Sequence, residues 1–207
     1  MNAIDIIFYI VILLFSIVIH EVSHGFMAEY FGDNTARNAG RLTLNPIKHI
    51  DPIGSIVLPA ILVLSHAPVF FGWAKPVPYN PNNLRNIKWG TFWVAAAGII
   101  ANIFIAIIFG IIIRLASSFS LPENFYFIAS SIVIMNLALA LFNLVPIPPL
   151  DGSKILFSLL PNSFYPLIVF LEQYALILLL IFILFFVDYL YPILILLYKA
   201  VTGLSLI

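Results

Sequence analysis

The 207-residue chain contains no cysteine, so disulfide bonds, thiolate metal sites and cysteine nucleophiles are excluded. Charged residues are scarce at 9%, against about 25% in soluble globular domains, whereas apolar residues make up 63%. Lys and Arg together number nine, as do Asp and Glu, and no basic run is present to neutralise a phosphate backbone. The composition therefore predicts no nucleic-acid partner and a chain embedded in the lipid bilayer.

Long apolar runs divide the sequence, and a helix needs about 20 apolar residues to cross a bilayer. The runs lie at residues 4–30, 91–113, 125–144, 166–187 and 189–207. They predict an all-α polytopic membrane protein with about five to six transmembrane helices. No basic region or small-residue cleavage site marks the first run as a signal peptide, so we expect a retained helix. No linker or repeat separates the runs, which predicts a single integral-membrane domain over residues 1–207, with a core at 1–160 and C-terminal helices at 166–207.

A polar cluster interrupts the end of the first run, where His20-Glu21-Val22-Ser23-His24 forms an H-E-x-x-H sequence. On a helix, two histidines four residues apart share one face and can bind the same Zn²⁺. Glu21 then lies next to the water that the metal activates. Three ionisable residues within one transmembrane turn are costly without a function, so the pattern indicates a zinc site rather than helix packing.

Catalytic zinc normally has three protein ligands and one open position, so a third ligand is expected elsewhere. Asp151 is the outstanding candidate, because it follows the helix-breaking prolines of the segment Pro146–Pro149. Irregular backbone near membrane depth is tolerated only where protein or a polar cavity surrounds it. The other acids considered have the setting of loop or helix-end residues: Asp5, Asp33, Asp51, Glu123 and Asp188.

Two motifs together resemble those of the site-2 protease family of intramembrane zinc metalloproteases. They are His20-Glu21-x-x-His24 and Asn143-x-x-Pro146-x-Pro148-x-x-Asp151-Gly152. Further matches, to compact bacterial-type members without a PDZ domain, are found at Gly40–Pro46, Gly72–Pro78 and Ala97-Gly98 with Asn102. Ile99 and Ser153 depart from the family pattern but touch no proposed ligand.

The resemblance implies one zinc ion per chain, with His20, His24 and Asp151 as ligands and Glu21 as the catalytic acid/base. It implies a zinc endopeptidase that hydrolyses peptide bonds within or near transmembrane segments of membrane-protein substrates, as in regulated intramembrane proteolysis. The expected partners are a transmembrane protein substrate and the lipid bilayer. No PDZ-like accessory domain is expected in 207 residues.

Three asparagines lie within apolar runs, and each has two interpretations. Asn143 and Asn102 are candidates for contact with the substrate backbone or the oxyanion, because the family motifs include them. Hydrogen bonding between helices is the alternative for both. We interpret Asn136, which belongs to no motif, as a packing residue.

The topology follows from a parity argument. His20 and His24 lie near the C-terminal end of one span and Asp151 follows the C-terminal end of another, so the chain must cross the membrane an even number of times between them. The short run 53–64 is then re-entrant or interfacial. Seven of the nine Lys and Arg residues fall on the side of the motif, which predicts that the site faces the cytoplasm. They are Arg37, Arg41, Lys48, Lys75, Arg85, Lys88 and Lys154. The resemblance to bacterial-type members implies a prokaryotic cell (inner) membrane.

An extended substrate needs a surface with which to pair. We expect the segment Trp73–Pro78 to supply a small strand-like loop with a free edge, since its prolines confine it to an edge strand.

Two other functions are compatible with the same residues. A membrane metal carrier or transporter would use the His and Asp side chains as a transit site, and an inactive homologue would bind metal without cleaving substrate. A carrier has no need of a general base, so Glu21 discriminates between transport and proteolysis.

Overall fold

A computed structural model describes residues 3–65, 72–116, 119 and 121–205. Within these ranges the α-helices are α1 (Ala3–Tyr30), α2 (Thr35–Asn38), α3 (Leu58–Leu64), α4 (Ile87–Ala116), α5 (Glu123–Leu144), α6 (Asp151–Leu159), α7 (Tyr165–Gln173), α8 (Ala175–Phe185) and α9 (Leu190–Thr202). Short 3₁₀ and π-helical turns join several of them, including a π-helical turn at Pro52–Val57. The prediction of an all-α membrane protein is confirmed.

Three helices are long and apolar enough to cross a membrane: α1, α4 and α5. The pair α7 and α8, bent by 70° across Tyr174, makes a fourth if it counts as one broken span. At 13 residues, α9 extends about 20 Å and is shorter than the bilayer core. The described residues thus contain three or four candidate spans, and the predicted five to six are not confirmed.

The three long helices lie side by side in alternating directions. Along α1, Ser16 contacts Asn102 and His24 contacts Val94, so α4 runs antiparallel to α1. The rings of Tyr9 and Phe127 pack edge to face 5.6 Å apart at the start of both α1 and α5, so these two helices are parallel. The C-terminal ends of α1 and α5 therefore lie at the same end of the bundle.

The buried face of α4 consists mostly of small residues, which lets neighbouring helices approach closely in a membrane. It includes Ala95, Ala96, Ala97, Gly98, Ala106 and Gly110. At the opposite end of the bundle from the histidines, α9 packs against α4 and α5, where the Tyr198 hydroxyl donates to Ser130 Oγ at 2.8 Å.

The segment between α1 and α4 starts and finishes at the same place. The backbone N–H of Arg85 donates to the carbonyl of Phe31 at 2.8 Å. A segment that ends where it began has not crossed the bundle, so the π-helical turn and α3 do not form a third crossing before α4. This closure is what the parity argument expects, and the placement of residues 53–64 relative to the membrane stays a prediction.

The segment Trp73–Pro78 forms no strand, and no strand occurs elsewhere in the described ranges. Its backbone hydrogen bonds to the preceding chain include those from Trp73 N–H to Gly54 O at 3.1 Å and from Lys75 N–H to His49 O at 2.9 Å, and they form no continuous ladder. Pro76 and Pro78 have no N–H to continue a ladder. The predicted strand-like loop is therefore not confirmed.

Asp33 ties the end of α1 to the chain that leads into α4. Its fully buried carboxylate accepts hydrogen bonds from the N–H and hydroxyl of Thr35, from Asn80 N–H at 2.6 Å and from Asn83 Nδ2 at 2.9 Å. Burial raises the pKa of Asp33, but the hydrogen bonds from Thr35, Asn83 and Asn80 together outweigh it and lower this pKa below its usual value.

We predict that Asp33→Ala destabilises the protein by about 2 to 4 kcal/mol, because it leaves buried donors without an acceptor. The measurement is thermal unfolding in detergent, with the exposed Glu172→Ala as a control expected to change little. Since the folded pKa is lowered, the stabilisation is complete above the unfolded pKa of about 3.9 and is lost as pH falls through the folded value. Equal melting temperatures for wild type and Asp33→Ala at neutral pH would contradict this.

Candidate metal centre

His20 and His24 occupy one face of α1, as their four-residue spacing predicts. Their rings lie 4.6 Å apart between centroids and nearly perpendicular to each other. Gly98 of α4 faces His20, where a Cβ atom would lie only 2.6 to 2.7 Å from the imidazole ring. A glycine at this position is what allows α4 to approach the ring.

Asp151 reaches the histidines from the first turn of α6. After α5 ends at Leu144, the proline-containing connection turns the chain so that Gly152 packs against the end of α5. A Cβ atom on Gly152 would lie 2.2 Å from the Leu144 carbonyl oxygen. This contact places Asp151 Oδ2 at 3.0 Å from His20 Nε2 and 3.1 Å from His24 Nε2.

The second ring nitrogen of each histidine has its own hydrogen bond. His20 Nδ1 lies 2.6 Å from Asn102 Oδ1, and His24 Nδ1 lies 2.7 Å from the main-chain carbonyl of Val94. Both oxygens are acceptors, so each Nδ1 carries the proton. Each Nε2 then presents a lone pair towards Asp151, which is the arrangement of metal-ligating histidines.

The three ligand atoms fit a zinc ion. Tetrahedral Zn²⁺ with bonds of about 2.0 to 2.1 Å has ligand-to-ligand edges of about 3.3 Å, close to the two distances to Asp151 Oδ2. Two imidazole lone pairs and a carboxylate oxygen repel one another unless a metal ion lies between them or Nε2 carries a proton that it donates to the carboxylate. His20, His24 and Asp151 are all more than 90% buried, which makes an unbridged arrangement costlier still.

Glu21 lies at the edge of this cluster. Its carboxylate and the two histidines each offer a ligand atom within 4.8 Å of the others. The half-buried side chain accepts a hydrogen bond at Oε2 from Val77 N–H at 2.8 Å. Arg41 holds the same stretch in place, since its guanidinium donates to the carbonyls of Lys75 at 2.8 Å and Pro76 at 3.3 Å.

The two candidate asparagines occupy different environments. Asn102 is fully buried and uses both its amide atoms inside the protein, with Oδ1 on His20 and Nδ2 on Ser16 O and Asn136 Oδ1. Asn143 is half-buried and donates to Leu139 O at 3.0 Å; in the described residues it makes no hydrogen bond to the histidines or Asp151.

Sequence reasoning missed three contributors. The hydrogen-bond acceptor for His24 is the main-chain carbonyl of Val94, and the identity of a side chain does not predict such a contact. Arg41 was counted only as a charge on one side of the membrane. Lys154, with Nζ 3.4 Å from Asp151 Oδ1, lies one turn along α6, and this i to i+3 spacing is the signal that could have identified it.

Comparisons with known proteins agree with these motifs. The model of the family described as Peptidase family M50 matches residues 120–187, which include α5 and Asp151. The "Putative zinc metalloprotease YwhC" of Bacillus subtilis (strain 168) is 38% identical over 164 residues, covering 74% of this chain and 69% of the relative. No solved structure matches the chain.

A second relative is more distant. The "Putative zinc metalloprotease Rip2" of Mycolicibacterium smegmatis (strain ATCC 700084 / mc(2)155) is 30% identical over 141 residues, covering 67% of this chain. This chain spans about half the length of that relative, with 52% covered. The identity to YwhC over more than two thirds of both chains, together with the family match, shows that the chain belongs to peptidase family M50.

Proposed function

We propose that this protein is an intramembrane zinc endopeptidase that cleaves membrane-protein substrates within or near their transmembrane segments. His20, His24 and Asp151 would hold one zinc ion per chain, and Glu21 would be the catalytic acid/base. The observation that carries the proposal is that two histidine Nε2 atoms lie 3.0 and 3.1 Å from one carboxylate oxygen, Asp151 Oδ2, although 131 residues separate His20 from Asp151.

The general activity, that of a zinc metalloprotease, follows from membership of the family. As a member of peptidase family M50, the chain is a zinc metalloprotease, and its long apolar helices make it an integral membrane protein. We propose that residues 1–207 act as one domain. The core, 1–160, contains every site residue, and the C-terminal helices pack against it through α9.

Each side chain of the site has a chemical task in the proposed reaction. Zinc, when bound, supplies Lewis-acid activation of a water molecule and of the scissile carbonyl. Glu21 accepts the proton of the attacking water and passes it to the leaving amine. Asn102 and Val94 keep the imidazoles in the Nδ1–H form, so that Nε2 is free to bind metal.

We assign Asn102 to the support of His20 rather than to substrate, because its amide has no free donor or acceptor facing the metal. Asn143 remains a candidate for the oxyanion or the substrate backbone: its Oδ1 is available, while its Nδ2 donates within α5. It would reach the substrate only if Nδ2 left the Leu139 carbonyl.

Position in the membrane follows from the same geometry. Six residues separate His24 from the end of α1 at Tyr30, so the site lies about 9 Å inside that helix end. The substrate must open its backbone hydrogen bonds there before a carbonyl becomes accessible. Most Lys and Arg residues lie on the same side of the membrane as the site, so we place the site on the cytoplasmic side of the cell membrane. The segment 53–64 lies on that side as a re-entrant or interfacial element.

The metal-carrier alternative is less well supported. A transit site must release its ion, whereas the two histidines here are fixed by buried hydrogen bonds on their second nitrogens. An inactive homologue has no need of Glu21 beside the ligands, yet the structure keeps this carboxylate within reach of the metal position.

Two substitutions separate the protease from both alternatives. We expect Glu21→Gln to keep about one zinc per chain and to lose at least about 100-fold of its cleavage of a generic transmembrane substrate in detergent, because the proton acceptor is gone. Asp151→Ala should lose both zinc and cleavage, because a ligand is gone. The measurements are metal content by elemental analysis and substrate cleavage by gel.

The control is Glu172→Gln, the same substitution on an exposed part of α7. It should retain zinc and full cleavage. Cleavage that persists in Glu21→Gln would refute the proposed mechanism, and zinc transport that persists in Glu21→Gln vesicles would favour the carrier.

Gly98→Ala tests the site from the α4 side. A methyl group at this position would overlap the His20 ring, so we expect zinc affinity to fall by about tenfold or more as the imidazole is displaced. Gly90→Ala is the matched control in the same helix, since the three atoms nearest to its methyl group, at 3.0 to 3.4 Å, all belong to the Leu84 side chain. Equal zinc affinity in the two variants would show that His20 does not need this space.

The absence of cysteine allows a direct test of orientation. We expect Phe119→Cys, at an exposed position beyond the C-terminal end of α4, to react with a membrane-impermeant maleimide in intact cells. Lys48→Cys, exposed on the side of the site, should react only after the cells are permeabilised. The opposite labelling pattern would place the site on the outer side.

A further inference from the structure

A second polar cluster lies deeper in the bundle than the metal centre. Ser16 of α1, Asn102 of α4 and Asn136 of α5 are 4%, 0% and 0% exposed. They meet where the three long helices are in contact, surrounded by apolar residues. The proposed mechanism uses only Asn102, through its bond to His20.

The hydrogen bonds in this cluster have a defined direction. His20 Nδ1 donates to Asn102 Oδ1 at 2.6 Å, and Asn102 Nδ2 donates to Asn136 Oδ1 at 2.8 Å and to the Ser16 carbonyl at 3.3 Å. Asn136 Nδ2 in turn donates to Ser16 Oγ at 3.0 Å and to the Ile132 carbonyl at 2.9 Å. Each amide is therefore oriented by the next group in the chain of bonds.

This direction matters because an asparagine amide can turn by 180° and exchange its oxygen for its nitrogen. A turned Asn102 would present NH₂ to His20 Nδ1 and so favour the tautomer with the proton on Nε2, which cannot bind a metal. The same turn would bring Asn102 Oδ1 against two further acceptors, Asn136 Oδ1 and the Ser16 carbonyl. Those two acceptors prevent the turn.

We propose that Asn136 is a positioning residue for the metal centre, which acts through Asn102 to hold His20 in its ligating tautomer. The inference rests on the proposed function in one respect, the assignment of His20 as a zinc ligand. Asn136 touches neither metal nor substrate, and its effect is on the affinity for zinc. A residue that served only to pack α5 against α4 would affect stability alone.

The test is the zinc dissociation constant of folded, detergent-solubilised protein, measured by competition with a chelator. Asn136→Leu removes the acceptor for Asn102 and should weaken zinc binding by about tenfold or more. Asn136→Asp keeps an oxygen acceptor for Asn102 Nδ2 and should bind zinc more tightly than Asn136→Leu does.

Tyr198→Phe is the matched control. It deletes another interhelical hydrogen bond made by α5, from the buried Tyr198 to the half-buried Ser130 Oγ, at the far end of the bundle. It should lower the melting temperature and leave the zinc dissociation constant unchanged. Equal zinc affinity in Asn136→Leu, Tyr198→Phe and wild type would overturn the inference.

His20→Ala separates this inference from the function on which it rests. If His20→Ala loses zinc while Asn136→Leu binds like wild type, the positioning role is wrong and the proposed ligand set stands. If His20→Ala binds zinc like wild type, the ligand assignment itself is wrong.

A milder pair of variants serves if Asn136→Leu does not fold. Ser16→Ala removes the hydroxyl that orients Asn136, and zinc binding should weaken by about threefold. Ser23→Ala makes the same change on α1, where the hydroxyl donates only to the Ile19 carbonyl, and should have no effect. Equal affinities in this pair would also overturn the inference.

Discussion

The structure depends on one arrangement of like atoms, the lone pairs of two imidazoles and a carboxylate oxygen facing one another inside a helical bundle. Without a metal ion or a proton between them these acceptors repel, and burial makes that repulsion more costly than it would be in water. Two elements hold the three groups in place: α4 accepts hydrogen bonds from both imidazole rings, and the tight turn before α6 brings the carboxylate towards them. Metal binding and helix packing are therefore parts of the same free-energy balance.

Polar contacts are sorted by depth in this protein. Deep in the bundle, neutral amides and hydroxyls hold the ligands, since neutral groups are cheaper to bury in lipid than charges. Near the helix ends, charged side chains form the hydrogen bonds. Asp33 and Arg41 bond to the stretch of chain that leads past Glu21. The Glu21 carboxylate lies between these two layers. It accepts a hydrogen bond from the Val77 backbone and is less buried than His20, His24 and Asp151.

Local rules predicted the parts of the site that depend on periodicity. The four-residue spacing placed His20 and His24 on one face, and the proline-rich break singled out Asp151 among the acids. The structure brings these three side chains together. The spacing argument reaches that far because it depends on the geometry of a single helix and requires no knowledge of packing.

Features that depend on how the helices pack could not be predicted from the sequence. A main-chain carbonyl such as that of Val94 has no side-chain signature. Asn136 was interpreted as a packing residue because it belongs to no motif, and its partners lie 34 and 120 residues away in the sequence. The predicted five to six spans are not confirmed, because apolar runs in the last quarter of the chain break at Tyr174 and near Asp188 into shorter helices. Proline content suggested an edge strand at 73–78, yet the backbone there bonds to a carboxylate and a guanidinium instead.

The hydrogen bond between Arg85 and Phe31 closes the chain between α1 and α4 into a loop whose ends meet. The chain between these two residues returns to its starting point, so it leaves the order and direction of the three long helices unchanged. It also returns past the end of α1, where its Val77 N–H donates to Glu21. A connection between two helices thereby becomes part of the wall of the candidate site.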